Sequence, residues 1–187
     1  MTKEPKEFNL PLIEKINEVE KNHDGNISNT QKILLTTDGS ITAILDVLNG
    51  KIDLKTLNQY FKKTTPEIAK KLNINEKEEV NYREVIMHKN DSPLIYAVSY
   101  IPLKRLDEDF KCDLIQADIP IGRILKKYDI ESRREIKDIK IEQSSPKMKE
   151  IFKTDAKLLT REYNIIKNNE ILIWIKEIFP ITYFTEN

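Results

Sequence analysis

Val80-Asn81-Tyr82-Arg83-Glu84-Val85-Ile86-Met87-His88-Lys89, then Asn90-Asp91-Ser92-Pro93, then Leu94-Ile95-Tyr96-Ala97-Val98-Ser99-Tyr100-Ile101, is the stretch on which the fold turns. Two runs rich in β-branched and aromatic residues flank a cluster of turn formers, which is the pattern of a β-hairpin. A second pair lies further on, Leu158 to Ile166 and Ile171 to Phe179, joined through Asn168-Asn169. Connections this short make the joined strands antiparallel neighbours. Arg134 to Gln143 reads as a partly exposed strand, with Ile136, Asp138 and Lys140 on one side and Ile139 and Ile141 on the other. Lys51 to Phe61 fits two patterns. Ile52, Leu54 and Thr56 alternate as in a strand, whereas Leu54, Leu57 and Phe61 repeat as in a helix.

Around these strands lie helical signals. Leu12, Ile13, Ile16 and Val19 repeat at helical spacing between Phe8 and Glu20, before a polar loop containing Asp24-Gly25. After the apolar Ile33-Leu34-Leu35, the run Thr36-Thr37-Asp38-Gly39-Ser40 starts a helix carrying Ile41, Ile44, Leu45 and Leu48. Asp38 or Ser40 caps it and Gly50 ends it. Pro66 opens a short helix to Leu72, Pro120-Ile121-Gly122 opens one to about Tyr128, and Ser145-Pro146 starts another. The expected fold class is α+β: an antiparallel sheet flanked by helices. Residues 1–187 read as one domain, residues 1–30 as an N-terminal helical extension, and no internal repeat is visible.

Composition narrows the functions. Hydrophobic residues are 39% and charged residues 33% of 187, as in a globular protein. Thirty-one Lys and Arg balance 31 Asp and Glu, so there is no global pull toward nucleic acid or an anionic membrane, and neither is expected as a partner. Any bound anion needs a local arginine or lysine. One cysteine, Cys112, excludes an internal disulfide, and with only His23 and His88 beside it no usual zinc cage is expected. Four glycines, Gly25, Gly39, Gly50 and Gly122, are too widely spaced for a dinucleotide fingerprint or a Walker loop. No run approaches the roughly 20 apolar residues of a membrane span, and Met1 to Asn9 lacks the apolar core of a signal peptide. A cytoplasmic protein with neither a zinc cage nor a nucleotide-binding loop is expected.

Three charges fall on faces suited to a core. Arg83 alternates with Val85 and Met87, Arg161 with Leu159, Tyr163 and Ile165, and Glu177 with Ile173, Ile175 and Phe179. Desolvation of an ion costs several kcal/mol, so such groups need partners. Two readings stand: an internal salt bridge from Arg83 or Arg161 to Glu177, or a pocket in which arginine clamps a carboxylate and Glu177 manages a proton. The Pro120-Ile121-Gly122 helix start offers free amides to an anion, or is an ordinary helix beginning. Cys112 reads as a packed thiol and His88 as exposed. Arg133-Arg134 reads as a solvated patch.

In these segments the chain resembles the chorismate pyruvate-lyase family, in its divergent archaeal-type branch. The resemblance runs from about Leu34 to Pro180. It rests on Leu34 to Thr42 (Leu-Leu-x-x-Asp-x-Ser-Ile-Thr) and on Tyr82-Arg83-Glu84-Val85 with the following hairpin to Tyr100-Ile101-Pro102. It rests also on Pro120-Ile121-Gly122-Arg123-Ile124-Leu125 and on Glu177-Ile178-Phe179-Pro180. A longer N-terminus and a segment around Ser144 to Lys153 depart from the bacterial pattern.

The resemblance implies a chorismate lyase-like fold and the cofactor-free conversion of chorismate to 4-hydroxybenzoate and pyruvate. It implies that Arg83 holds the ring carboxylate with help from the Ile121 amide beside Gly122, and that Glu177 meets the hydroxyl end. Arg161 and Arg134 fall on family arginine positions, Arg161 being the cation expected for the enolpyruvyl carboxylate. The same fold serves as the effector-binding domain of bacterial transcription regulators, so a non-catalytic aromatic-acid binder is the alternative. Only about 30 residues precede the first motif, too few for an accompanying winged helix on ordinary domain sizes. A structural protein, with the inward charges as plain salt bridges, is a third reading.

Overall fold

The computed structural model describes residues 10–23, 25–116 and 118–186. The N-terminal segment through Asn9 and the loop residue Asp24 lie outside them. Helices α1 (Leu10–His23), α2 (Asn29–Thr36) and α3 (Ile41–Asn49) precede strand β1 (Asp53–Lys63), helix α4 (Pro66–Leu72) and the hairpin β2 (Glu79–Lys89) and β3 (Ser92–Pro102). A 3-10 turn (Leu103–Arg105) and α5 (Glu108–Gln116) lead to α6 (Ile121–Lys127). Then follow β4 (Arg133–Glu142), α7 (Pro146–Phe152) and the hairpin β5 (Leu158–Lys167) and β6 (Glu170–Pro180). All six strands form one antiparallel sheet in the order β1-β2-β3-β6-β5-β4.

Both hairpins turn on residues that tolerate left-handed backbone. Asn90 and Asp91 have φ of 46° and 63°, and Asn168 and Asn169 have φ of 52° and 64°, as a two-residue turn matching the strand twist requires. Ser92 and Pro93 therefore already belong to β3. Strand β1 resolves the ambiguous stretch, and its register shift between Thr56 and Asn58 explains the mixed pattern. A matching shift between Ile136 and Asp138 lies in the other edge strand. It puts Ile136 and Ile139 into the same core, so the expected split of β4 into two sides is corrected by this bulge.

One face of the sheet is covered by α1, α2 and α3 through Ile16, Val19, Leu34, Leu35, Ile41 and Leu45, and by α5 and α6 through Phe110, Leu114, Ile124 and Leu125. The other face packs α7 through Met148 and Phe152 and α4 through Leu72. Two helices carried little signal. Helix α2 has a capping box, in which Gln31 N donates to Ser28 Oγ at 3.0 Å and Ser28 N to Gln31 Oε1 at 2.9 Å. Helix α5 turns Phe110 and Leu114 inward, which leaves Cys112 exposed rather than packed. His88, flanked by Asp53 and Pro93 on the neighbouring strands, is half-buried rather than exposed.

The order helix, strand, helix, hairpin occurs twice, as α3-β1-α4-β2-β3 and as α6-β4-α7-β5-β6. The symmetric strand order joins the two copies at β3 and β6. Helices α4 and α7 each have a hydroxyl cap, Thr65 or Ser145, followed by proline, and each ends on a left-handed residue, Asn73 or Lys153. The expectation of no internal repeat is thus corrected: backbone and caps repeat while side chains diverge.

Candidate functional site

Strand alternation aims Arg83, Val85 and Met87 of β2, Ala97 and Ser99 of β3, Ile175 and Glu177 of β6, and Tyr163 and Ile165 of β5 at one space beneath α3 and α6. They bound a small cavity of about 50 Å³. Ser40, Ile41 and Thr42 close it from α3, Pro120, Ile121 and Gly122 from α6, and Leu54 and Arg134 from the edge strands. Five of the six expected site residues, Arg83, Ile121, Gly122, Arg134 and Glu177, thus line one cavity. Arg161 does not line it.

Arg161 is 0% exposed, and its Nε donates to Glu177 Oε2 at 2.6 Å. Its Nη1 donates to the Thr37 carbonyl at 3.0 Å. Tyr163 OH donates to the other carboxylate oxygen at 3.0 Å, and the Arg161 guanidinium lies 4.7 Å from the Tyr163 ring centre. Burial works against the Arg161 charge, but the adjoining Glu177 carboxylate more than offsets it and holds its pKa above the ordinary value. Burial, then the Glu177 charge, push the Tyr163 hydroxyl up. The salt-bridge and pocket readings therefore both apply: Glu177 pairs with Arg161 behind it and faces the cavity in front.

Arg83 occupies the place in the first hairpin that Arg161 occupies in the second. Across the ladder Arg161 faces Glu177, whereas Arg83 faces Ser99. Arg83 is 1% exposed, and its Nη2 donates to the Ile119 carbonyl at 3.1 Å and reaches Thr56 Oγ1 at 3.4 Å. Burial pulls its pKa down to about 10, with nearby Asp118 opposing. A buried guanidinium at that position favours an anion.

The walls from α3 and α6 are tied together. Arg123 Nη2 donates to both Asp46 oxygens, at 3.0 and 2.9 Å. A Cβ on Gly122 would stand 2.8 Å from Ser40 Oγ, so any larger residue would make that hydroxyl turn away. The Thr36 to Ser40 turn, expected only to cap α3, does that through Ser40 Oγ and Ala43 N at 3.4 Å. It also supplies the carbonyls of Thr37 and Asp38 to Arg161 and Arg134, the latter at 3.2 Å. Tyr163 was missed as a site residue, although its place two residues after Arg161 on one strand face was the available signal. Among the described residues, no group of three His, Cys, Asp or Glu side chains is placed to hold a metal, and no helix is long and apolar enough to cross a membrane.

Comparison with known proteins fits this arrangement. A protein of Methanocaldococcus jannaschii named "Putative lyase MJ0807" is 42% identical over 160 residues, 82% of this chain and 79% of its own length. The C-terminal domain of the histidine utilization repressor from Pseudomonas syringae pv. tomato superposes with a TM-score of 0.62 at 11% identity, covering 73% of this chain and 96% of that one. A GntR-family transcriptional regulator from Enterococcus faecalis gives 0.59 at 14% identity, covering 72% and 97%. These two share the fold. Residues 35–186 match the family described as chorismate pyruvate-lyase Rv2949c-like, and to that family this chain belongs.

Proposed function

We propose that the protein is a chorismate pyruvate-lyase that needs no cofactor. The observation that carries this reading is that the buried Arg83, the first residues of α6, Ile121 and Gly122, and the buried Glu177 all line one cavity. The ring carboxylate of chorismate meets the Arg83 guanidinium. The first amides of α6, at Ile121 and Gly122, have no partner within the helix and add donors on that side. Glu177 lies toward the hydroxyl end. Both its oxygens are already bound, so it is held still, and each keeps a lone pair for a substrate hydroxyl. Its role is to orient.

The reaction balances without a co-reactant. The C–O bond to the enolpyruvyl group breaks, the hydrogen on the hydroxyl-bearing ring carbon leaves as a proton, and the ring becomes aromatic. The departing enolpyruvate takes a proton on its methylene carbon to give pyruvate. Aromatisation supplies the driving force, and the protein supplies orientation of a dianion.

Purified protein incubated with chorismate is expected to release pyruvate and 4-hydroxybenzoate in equal amounts, above spontaneous decay. A second reading, a binding domain for an aromatic acid, draws on the shared fold with the regulator domains. No turnover, together with saturable binding of 4-hydroxybenzoate, would favour it.

A further inference from the structure

We infer that Arg134, with the Ser40 hydroxyl, holds a second carboxylate, so that the cavity is built for a diacid rather than a monoacid. This rests on the reading that Arg83 holds the ring carboxylate. A ligand with a ring carboxylate and an ether-linked one needs two cations on one cavity, and Arg161 is committed to Glu177 behind the wall. Arg134 lines that cavity. Among the described residues it enters no ion pair: its Nη1 donates to the neutral Asp38 carbonyl at 3.2 Å, and its buried Nε has no partner.

The space beside it is shaped. A side chain on Gly122 would begin 3.7 Å from Arg134 Nη2 and 2.8 Å from Ser40 Oγ, so both groups converge on a spot kept open by glycine. Ser40 Oγ accepts from the Ala43 amide, which leaves its own proton to donate. The counterpart of Arg134 in the first half is Leu54, the second residue of β1 as Arg134 is of β4, and it also lines the cavity. The two ends of the repeat thus differ by one positive charge. A guanidinium without a carboxylate partner, beside a hydroxyl donor in a partly dry cavity, is suited to bind a carboxylate.

The test uses two non-reacting ligands and calorimetry on the full chain: 4-hydroxybenzoate, and 3-(carboxymethoxy)-4-hydroxybenzoate, which adds an ether-linked carboxylate at the neighbouring carbon. Arg134→Gln is expected to weaken the diacid by tens of fold and leave 4-hydroxybenzoate within about twofold. The retained monoacid affinity shows that the variant is folded. Arg134→Lys is expected to fall between. An unchanged ratio of the two affinities in Arg134→Gln would overturn the inference, and so would failure of the wild type to bind either ligand, which would remove the Arg83 anchor as well. A shifted ratio in a protein that does not turn over chorismate would uphold the diacid site while the lyase reading fell.

Discussion

Replacing Glu177 with glutamine tests whether the buried pair organises the site. Arg161 and Glu177 are 0% and 3% exposed and meet at 2.6 Å, so their charges are hardly screened. Glutamine keeps the volume and an acceptor for Tyr163, but leaves the Arg161 charge facing only neutral groups such as the Thr37 carbonyl. Breaking a buried pair by removing one partner costs about 3–5 kcal/mol. With one hydrogen bond retained, we expect the lower end, ~3 kcal/mol. For a chain of this size that corresponds to a fall in Tm of roughly 6–12 °C. The double variant Arg161→Met with Glu177→Gln removes the stranded charge and should lie within about 1 kcal/mol of wild type, since a buried pair and its apolar substitute are often of similar stability. Urea unfolding with linear extrapolation, beside thermal unfolding, measures all three proteins. A Glu177→Gln protein within about 1 kcal/mol of wild type, or a double variant less stable than the single one, would refute the reasoning.

Other outcomes follow from the same geometry. Arg83→Ala should weaken 4-hydroxybenzoate by about 2–5 kcal/mol, roughly 30-fold or more, and unchanged affinity by calorimetry would remove Arg83 from the clamp. Ser99→Glu sets a carboxylate opposite Arg83 as Glu177 is set opposite Arg161, so it should abolish ligand binding while leaving the fold intact by circular dichroism; normal binding would contradict the equivalence of the two hairpins. Gly122→Ala should cost about 1 kcal/mol, because Ser40 must turn away and uncap α3. In a Ser40→Ala background the same change should be neutral or slightly stabilising, and equal costs in both backgrounds would argue against the contact. Glu84 is buried on the opposite face, where burial raises its pKa but hydrogen bonds from Lys147, Tyr82 and Asn58 outweigh this and bring it from 4.5 to about 2. Because the folded value is the lower one, its stabilisation is complete above about pH 5 and is lost as pH falls from 4.5 toward 2, at most ~3 kcal/mol. Glu84→Gln should flatten that acid limb in unfolding measurements at pH 6 and pH 3.

Legibility in the sequence followed local chemistry. The hairpins were readable because Asn90-Asp91 and Asn168-Asn169 suit left-handed turns, and α3, α4, α6 and α7 because hydroxyl or proline residues mark their starts. Strand alternation placed Arg83, Arg161 and Glu177 inward. Where a strand bulges, alternation misleads: the shift at Leu57 blurred β1, and the one at Lys137 misassigned Ile136. The turn that serves Arg161 and Arg134 through the Thr37 and Asp38 carbonyls had no signal, because any residue type offers a backbone oxygen.

The Arg161–Glu177 pair shows why the site itself was harder to read than the fold. The two-residue turn at Asn168-Asn169 sets Lys167 opposite Glu170 and Ile166 opposite Ile171. Continued without interruption, that register brings Lys176, not Glu177, opposite Arg161. A one-residue irregularity at buried Leu172 shifts the ladder between Ile166 and Ile165, and from there inward Arg161 meets Glu177. Strand β3 has the same irregularity at Leu94, which brings Ser99 rather than Val98 opposite Arg83. A slip of one residue exchanges the faces of a strand, so each bulge carries its strand's central residue onto the cavity side. The first half thereby sets Ser99 opposite its arginine and the second sets Glu177 opposite its own. Opposite these two arginines the repeated backbone sets serine in one copy and glutamate in the other, delivered by matching bulges that a two-residue turn gives no reason to expect.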